Sequence, residues 1–317
     1  MSRQISELQV VPESMAGQRV DQIASQLFDE YSRSRIQGWI KSGELKIDGK
    51  QLKPKEKLWG GEQLSLEAVL EDVNQWKPEN IPLNIVYEDD DILVVNKPVG
   101  LVVHPAAGHY DGTLLNALLY HYPGIEVVPR CGIVHRLDMD TSGLMVVAKT
   151  IEAQNDLVNQ LQSREMGREY EAIVQGVMTG GGVVDEPIGR HPVNRKKQAV
   201  IPTGKPAVTH YRVLERFGHH THLRLKLETG RTHQIRVHMS HLGYPLIGDS
   251  VYAGRQKVPK GASEPLLEML RGFGRQALHA KRLELFHPIT GDEMEWEIDL
   301  PEDMVSLLAC LSEEDAG

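Results

Sequence analysis

The chain is poor in cysteine: Cys131 and Cys310 are the two thiols among 317 residues. Two thiols leave no disulfide frame and no cysteine-ligated zinc site, and they fit a reducing compartment, so a cytoplasmic protein is expected. Long apolar runs are missing as well. Leu114–Tyr120 and Leu144–Ala148 are among the longest apolar clusters and both are flanked by polar residues, whereas a bilayer span needs ~18 consecutive apolar residues; no membrane partner is expected. The opening Met1–Glu7 holds no apolar stretch ahead of a small-residue cleavage site, so no export signal is expected either. A basic excess is also absent, the formal net charge being −9. With 40% hydrophobic and 25% charged residues, the composition is that of an ordinary globular protein long enough for two domains.

The negative total hides how charge is distributed. Gly17–Gly60 carries nine Lys/Arg against six Asp/Glu, and Arg190–Arg236 carries eleven against two. Glu62–Asp91 has the opposite bias, one against nine, as does Asp292–Gly317, none against ten. Outside those two acidic stretches the chain is net +9, a footprint that suits a polyanion. An acidic total therefore does not exclude RNA.

The pattern changes near residue 80. Val20, Ile23, Ala24, Leu27 and Phe28 repeat with helical spacing, and Ser32 reads as the N-cap of a second helix carrying Ile36, Trp39 and Ile40, ended by Gly43. Leu45 and Ile47 then alternate into the hairpin signal Asp48-Gly49, and Gly60-Gly61 turns into Leu64-Ser65-Leu66. Glu67–Pro82, acidic and proline-containing, reads as a linker. The expected organisation is an N-terminal tail over 1–16, a small α+β module with its linker over 17–79, and a large domain over 80–317. In the large domain, strands are expected at Ile92–Val95, Gly132–His135, Leu144–Lys149, Tyr170–Val174, His210–Leu214, His222–Leu227, Leu283–Phe286 and Met294–Ile298. Helices are expected at Thr113–Tyr120, at Ile151–Gln162 after the cap Thr150, at Thr232–Leu242 and near Pro265–Arg271. Strands dominate without alternating regularly with helices, which predicts α+β with a large mixed, mostly antiparallel sheet.

The densest polar cluster is His135-Arg136-Leu137-Asp138-Met139-Asp140-Thr141-Ser142-Gly143, set between two apolar segments. A simple turn needs only a glycine and a polar residue. Placing an imidazole, a guanidinium and a carboxylate there costs desolvation, which pairing or function offsets; a capped turn built on Asp138 or Asp140 is the plainer alternative. A second cluster, Gly230-Arg231-Thr232-His233-Gln234-Ile235-Arg236, falls where a strand turns into a helix. An Asp working as an ionised nucleophile in a partly dry pocket calls for a bidentate Arg partner, and by its position Arg231 is the best-placed candidate.

Together these stretches carry a resemblance. Asn96-Lys97-Pro98 with Val103-His104-Pro105, the His135-Arg136-Leu137-Asp138 run with Thr141-Ser142-Gly143, Arg168-Glu169-Tyr170, the Gly230–Arg236 run, and His279-Ala280 with Arg282-Leu283 resemble the ordered motifs of the pseudouridine synthases that modify large-subunit ribosomal RNA. The likeness spans roughly residues 81–300, and the N-terminal module resembles the S4 RNA-binding domain. The resemblance implies that Asp138, Arg231 and Tyr170 are catalytic. It implies RNA-binding or base-flipping roles for Arg136, Ile235, His135 and Lys97, and for Arg33 and Arg35 in the module. It further implies a monomer that needs no cofactor or metal and acts on large-subunit ribosomal RNA or its precursor particle, at several neighbouring uridines of the helix 69 loop. The chemistry is consistent with this, because turning a uracil from an N- to a C-glycosidic bond adds neither electrons nor water. Two other classes of protein compete with this reading. A metal-dependent hydrolase would draw on His219, His220 and His222 or on His233, His238 and His241, but no Glu sits between His238 and His241 as in a zinc protease motif. A non-catalytic RNA binder would have no need of the Asp138, Tyr170 and Arg231 set.

Overall fold

Val20, Ile23 and Ala24 do fall on one buried face of a helix, α1 (Val20–Leu27), and Ile36 and Ile40 on a second, α2 (Arg33–Ser42). The computed structural model describes residues 3–29, 31, 33–70, 76–106, 108–194, 197–254, 259 and 261–316, with side chains left undescribed at 3, 33, 34, 69 and 70. The expected cap Ser32 and the side chain of Arg33 lie outside what is described. The chain divides into two units, Met1–Gln75 and Trp76–Gly317.

In the first unit, β1 (Arg3–Val10), β2 (Leu45–Ile47) and β3 (Gln63–Leu70) form an antiparallel sheet in the order β1-β3-β2. Its core joins the two helices to Leu45, Ile47, Leu64 and Leu66. Asp48 and Gly49 take φ of 48° and 70°, the left-handed pair that a tight primed turn requires, and Ile47 and Lys50 close the turn by exchanging both backbone hydrogen bonds at 2.8 Å; beyond that single bridge, β2 pairs with β3. Residues 3–10, expected within a tail, are β1, in register with β3 from Arg3↔Leu70 to Val10↔Gln63. Leu8 and Val10 face solvent while Ile5 is the one deeply buried residue among the described side chains of that strand, so the alternation that marks a half-buried strand is not written there.

Residues 71–75 of the expected linker lie outside the described residues, and its two ends belong to the two units. Residues 67–70 belong to β3; Trp76, Ile81 and Leu83 pack against the larger unit's core. Asn116 anchors the same segment, donating from Nδ2 to Lys77 O at 2.9 Å and accepting at its carbonyl from Glu79 N at 3.0 Å. The boundary thus falls at 75/76 rather than 79/80.

The second unit runs β4 (Ile85–Glu88), β5 (Ile92–Lys97), α3 (Leu114–His121), β6 (Ser142–Ala148), α4 (Ile151–Ser163), β7 (Gly167–Gln175), β8 (Gly182–Asp185), β9 (Ile188–Arg190), β10 (Gln198–Val200), β11 (Val208–Arg216), β12 (His220–Leu227), α5 (Gln234–His241), α6 (Glu264–Gly272), β13 (Leu278–Phe286), β14 (Glu293–Glu297) and α7 (Glu302–Ala316). A nine-stranded sheet follows the order β4-β5-β6-β13-β7-β12-β11-β8, with β14 on β13; β9 and β10 pair separately. Only β6–β13 is parallel within it, so the fold is α+β with a mixed, mostly antiparallel sheet. Thr150 caps α4 by accepting from Ala153 N at 3.1 Å.

One expectation fails here, and one helix was not foreseen. Gly132–His135 is not a strand: Ile133 makes a single bridge to Val147, and the next ladder position is filled by a side chain, Val146 N donating to His135 Nε2 at 3.1 Å. The C-terminal acidic stretch contains α7, which buries Met304, Leu307 and Leu311. The strand period sorts β7, whose Tyr170, Ala172 and Val174 face one core cluster and whose Ile173 faces another. That alternation aims Tyr170 at the same side as α5.

Candidate active site

Asp138 stands in the loop that leads into β6, and the loop is braced from below. Lys97 is 1% exposed, and its Nζ donates to Pro98 O, Leu101 O and Met139 O at 2.8, 3.0 and 2.9 Å. Three carbonyls use all three ammonium protons, and burial pushes the amine down to about 8. Lys97 therefore buttresses the Asp138 loop; the RNA contact expected of it is not available to a buried, saturated side chain. Arg275 Nη1 donates to Asp140 O at 3.3 Å and Gln276 Nε2 to Thr141 Oγ1 at 3.0 Å. Gly143, at φ 117°, lies so close to β13 that a Cβ there would sit 2.3 Å from Ala280 O, which restricts the position to glycine.

His135 is also structural. Accepting Val146 N–H leaves its ring hydrogen on Nδ1, and burial pushes its pKa down to about 3, so it is neutral and part of the sheet rather than an RNA ligand. Arg136 is exposed, Leu137 buried and Asp138 half-buried, so successive side chains of this run alternate between the core and the opening.

The guanidinium at Asp138 is Arg236, not Arg231. Arg236 Nη1 donates to Asp138 Oδ2 at 2.9 Å, while its Nε and Nη2 grip Asp249 at 2.7 and 3.0 Å. Asp249 is 2% exposed, accepts Val251 N and Tyr252 N as well, and is held below the usual carboxylate range chiefly by Arg236, against the cost of burial. Its grip fixes Arg236 in one orientation. Arg231, five residues earlier, precedes the helix and donates from Nε to Pro206 O at 3.0 Å. The second Asp138 oxygen lies 3.9 Å from His233 Nε2. His233 occupies the left-handed region at φ 57°, and its Nδ1 is 2.7 Å from the Tyr252 hydroxyl, which accepts from Gln198 N at 3.0 Å. Burial lowers the His233 pKa.

A cavity of about 630 Å³ opens over these groups, lined by Asp138, Tyr170, Ile235, Arg136, Arg168, Arg231 and His233 among others. Tyr170 is 5% exposed and Ile235 4%, and burial raises the Tyr170 pKa, so it presents a neutral ring. Of the residues expected in the site, Asp138, Tyr170, Arg136, Ile235, Arg231 and His135 meet at this cavity. Arg35 is exposed on α2 in the other unit. Arg236, Asp249, His233, Tyr252 and Arg168 are residues whose placement here the sequence reading missed; the Asp249-to-Tyr252 segment carried no signal of its own, and the two arginines sat unassigned in motifs already noted. The histidine-metal reading loses its best ligand, since His238 is 0% exposed with Nδ1 on Thr209 Oγ1 and Nε2 on Glu186 O at 2.9 and 3.0 Å.

The structure thus offers a carboxylate held by arginine beside a buried aromatic ring, in an arginine-lined cavity large enough for one nucleoside. The family described as RNA pseudouridylate synthase matches residues 91–241, and the chain belongs to that family of isomerases. It is 62% identical to the ribosomal large subunit pseudouridine synthase D of Pseudomonas aeruginosa over 99% of this chain and 98% of that one. Against the protein of the same name from Yersinia pestis it is 60% identical over 98% and 96%, and against that of Escherichia coli K12 58% over 97% and 95%. Among solved structures, human RNA pseudouridylate synthase domain containing 4 matches with a TM-score of 0.57 at 27% identity, over 72% of this chain and 93% of that one. The human domain containing 1 protein matches at 0.55 and 28%, over 73% and 89%. Among the described residues no helix is long and apolar enough to cross a membrane.

Proposed function

We propose that this chain isomerises uridines to pseudouridine in 23S ribosomal RNA, free or in the precursor of the large subunit, at neighbouring positions of the helix 69 loop, with Asp138 as the essential carboxylate. The observation that carries the reading is the Arg236–Asp138 contact at 2.9 Å on the floor of the basic cavity. The near-complete likeness to synthases named for the large ribosomal subunit supports the RNA assigned.

In this reading the target nucleotide leaves the stack, Tyr170 and Ile235 pack on the uracil, and Arg136 at the rim braces the vacated space. Arg236 orients Asp138 and offsets its charge while the other carboxylate oxygen meets the sugar or base. The N-glycosidic bond breaks, the uracil turns, and C5 bonds to C1′; the C5 proton is lost to solvent and N1, freed from the sugar, takes one up. Electrons and water balance within the nucleoside, so no redox partner enters. Stacking on Tyr170 is worth about 1–3 kcal/mol for any base, so the choice of uridine rests on RNA shape and edge contacts. The N-terminal unit, which resembles S4 domains, adds phosphate contacts through its lysines and Arg35. Mapping pseudouridine in ribosomal RNA from cells with and without the protein tests the reading: loss confined to helix 69 uridines supports it, and an unchanged map refutes it.

A further inference from the structure

Arg168 lies two residues before Tyr170 on β7, so both side chains leave the same face of the strand, and both line the Asp138 cavity. Arg168 is 7% exposed. Yet among the described residues its side chain makes no ion pair and no hydrogen bond, and its Nε is buried without a partner. The other deeply buried guanidiniums of the site are matched: Arg236 by Asp138 and Asp249, Arg275 by Asp303 and backbone carbonyls. Burying an unmatched cation is costly, and such a group is retained where an anion comes to meet it. The cavity's own anions are engaged, Asp138 with Arg236 and Glu228 with Arg164 and His210. Gly230 keeps the guanidinium uncovered, since a Cβ there would sit 2.9 Å from Arg168 Nη1.

The missing anion therefore comes with the substrate. Uridine is neutral, and the full charges on RNA are its phosphates. Two residues along a strand span about 7 Å, the scale that separates a base from the phosphate of its own nucleotide. We propose that Arg168 receives a backbone phosphate flanking the target uridine as the base seats against Tyr170, an assignment that rests on the functional reading above. A deeply buried guanidinium offers its fork to two phosphate oxygens, which fixes the nucleotide's register without reading the base.

The test uses a cognate RNA, unmodified or with a neutral methylphosphonate on the 5′ or the 3′ side of the target uridine, against the wild-type protein, Arg168→Met and Arg168→Lys. The wild type is expected to bind one of the two neutral RNAs about tenfold more weakly, and Arg168→Met to bind all three RNAs alike. Arg168→Met should also flatten the salt dependence of log affinity by about one ion. Its urea midpoint should equal or exceed that of the wild type, because a buried unmatched charge has been removed; Arg168→Lys should retain part of the phosphate sensitivity. Equal losses in wild type and Arg168→Met on both neutral RNAs would overturn the assignment, as would a lower urea midpoint with unchanged affinity and salt slope, the mark of a purely structural arginine. Turnover of the unmodified RNA is read alongside. No pseudouridine from the wild type refutes the functional reading, whereas normal turnover without coupling refutes the phosphate assignment alone.

Discussion

Replacing Arg236 by lysine keeps the charge and removes the fork. The guanidinium spans two carboxylates, with bonds of 2.7 and 3.0 Å to Asp249 and 2.9 Å to Asp138. An ammonium is a point donor and cannot reproduce that three-bond geometry. Asp249, buried and fixed by Val251 N and Tyr252 N, holds the lysine, so the bond to Asp138 is the one lost. A hydrogen bond to a charged group is worth about 1.5–3 kcal/mol, and 1.36 kcal/mol is tenfold in rate, so turnover should fall roughly 10- to 100-fold. Losing the second bond to Asp249 should cost a further 1–3 kcal/mol or so of stability. Single-turnover tritium release from 5-tritiated uridine RNA at saturating enzyme gives the first number, and urea unfolding of the same protein the second. Arg231→Lys is the control: Arg231 donates to Pro206 O and should keep the chemical rate within about threefold. A wild-type rate for a folded Arg236→Lys protein, or a slow Arg231→Lys beside it, refutes the assignment.

Lys97→Met should destabilise the protein by roughly 2–4 kcal/mol and slow turnover, because three buried carbonyls lose their donor; an unchanged urea midpoint contradicts the buttress. Acid should destabilise the fold well above the carboxylate range. Burial pushes His104, His220 and His279 down to about 4 and His135 to about 3. The unfolded chain therefore takes up protons below about 6.5 that the folded chain refuses, and stability falls as pH drops from 6.5 toward 4; a urea midpoint that is flat between pH 7 and 5 contradicts this. A chain shortened to residues 76–317 should keep Asp138-dependent turnover at saturating RNA but bind more weakly, with a shallower salt dependence. Equal salt slopes for the two lengths mean that the N-terminal unit does not engage RNA.

Most of the fold could be read where local chemistry is redundant. Thr150 before a periodic segment marks α4, where cap and apolar stripe agree, and the apolar stripe of Val20, Ile23 and Ala24 marks α1 without a side-chain cap. Legibility ends where partners come from distant sequence. β1 is held by backbone pairing to β3 with Ile5 the one deeply buried residue among its described side chains, and His135 stands in for a strand by lending a ring nitrogen to Val146. The Asp138 loop was visible as a costly cluster, but which of two arginines in one motif reaches it depends on α5 starting at Gln234 and on Asp249, thirteen residues beyond Arg236. Lys97 reads as a surface cation in sequence; three carbonyls from two loops make it a buried one.

Asp138→Asn keeps the size of the side chain and most of its hydrogen bonding while removing the charge that Arg236 holds. Tritium release from cognate RNA, measured beside RNA affinity for the same protein, tests the central assignment most directly. The account predicts no detectable pseudouridine with affinity within a few-fold of wild type, and a much milder effect for Asp140→Asn, whose backbone rather than its side chain receives Arg275. Substantial turnover by the Asp138→Asn protein contradicts it.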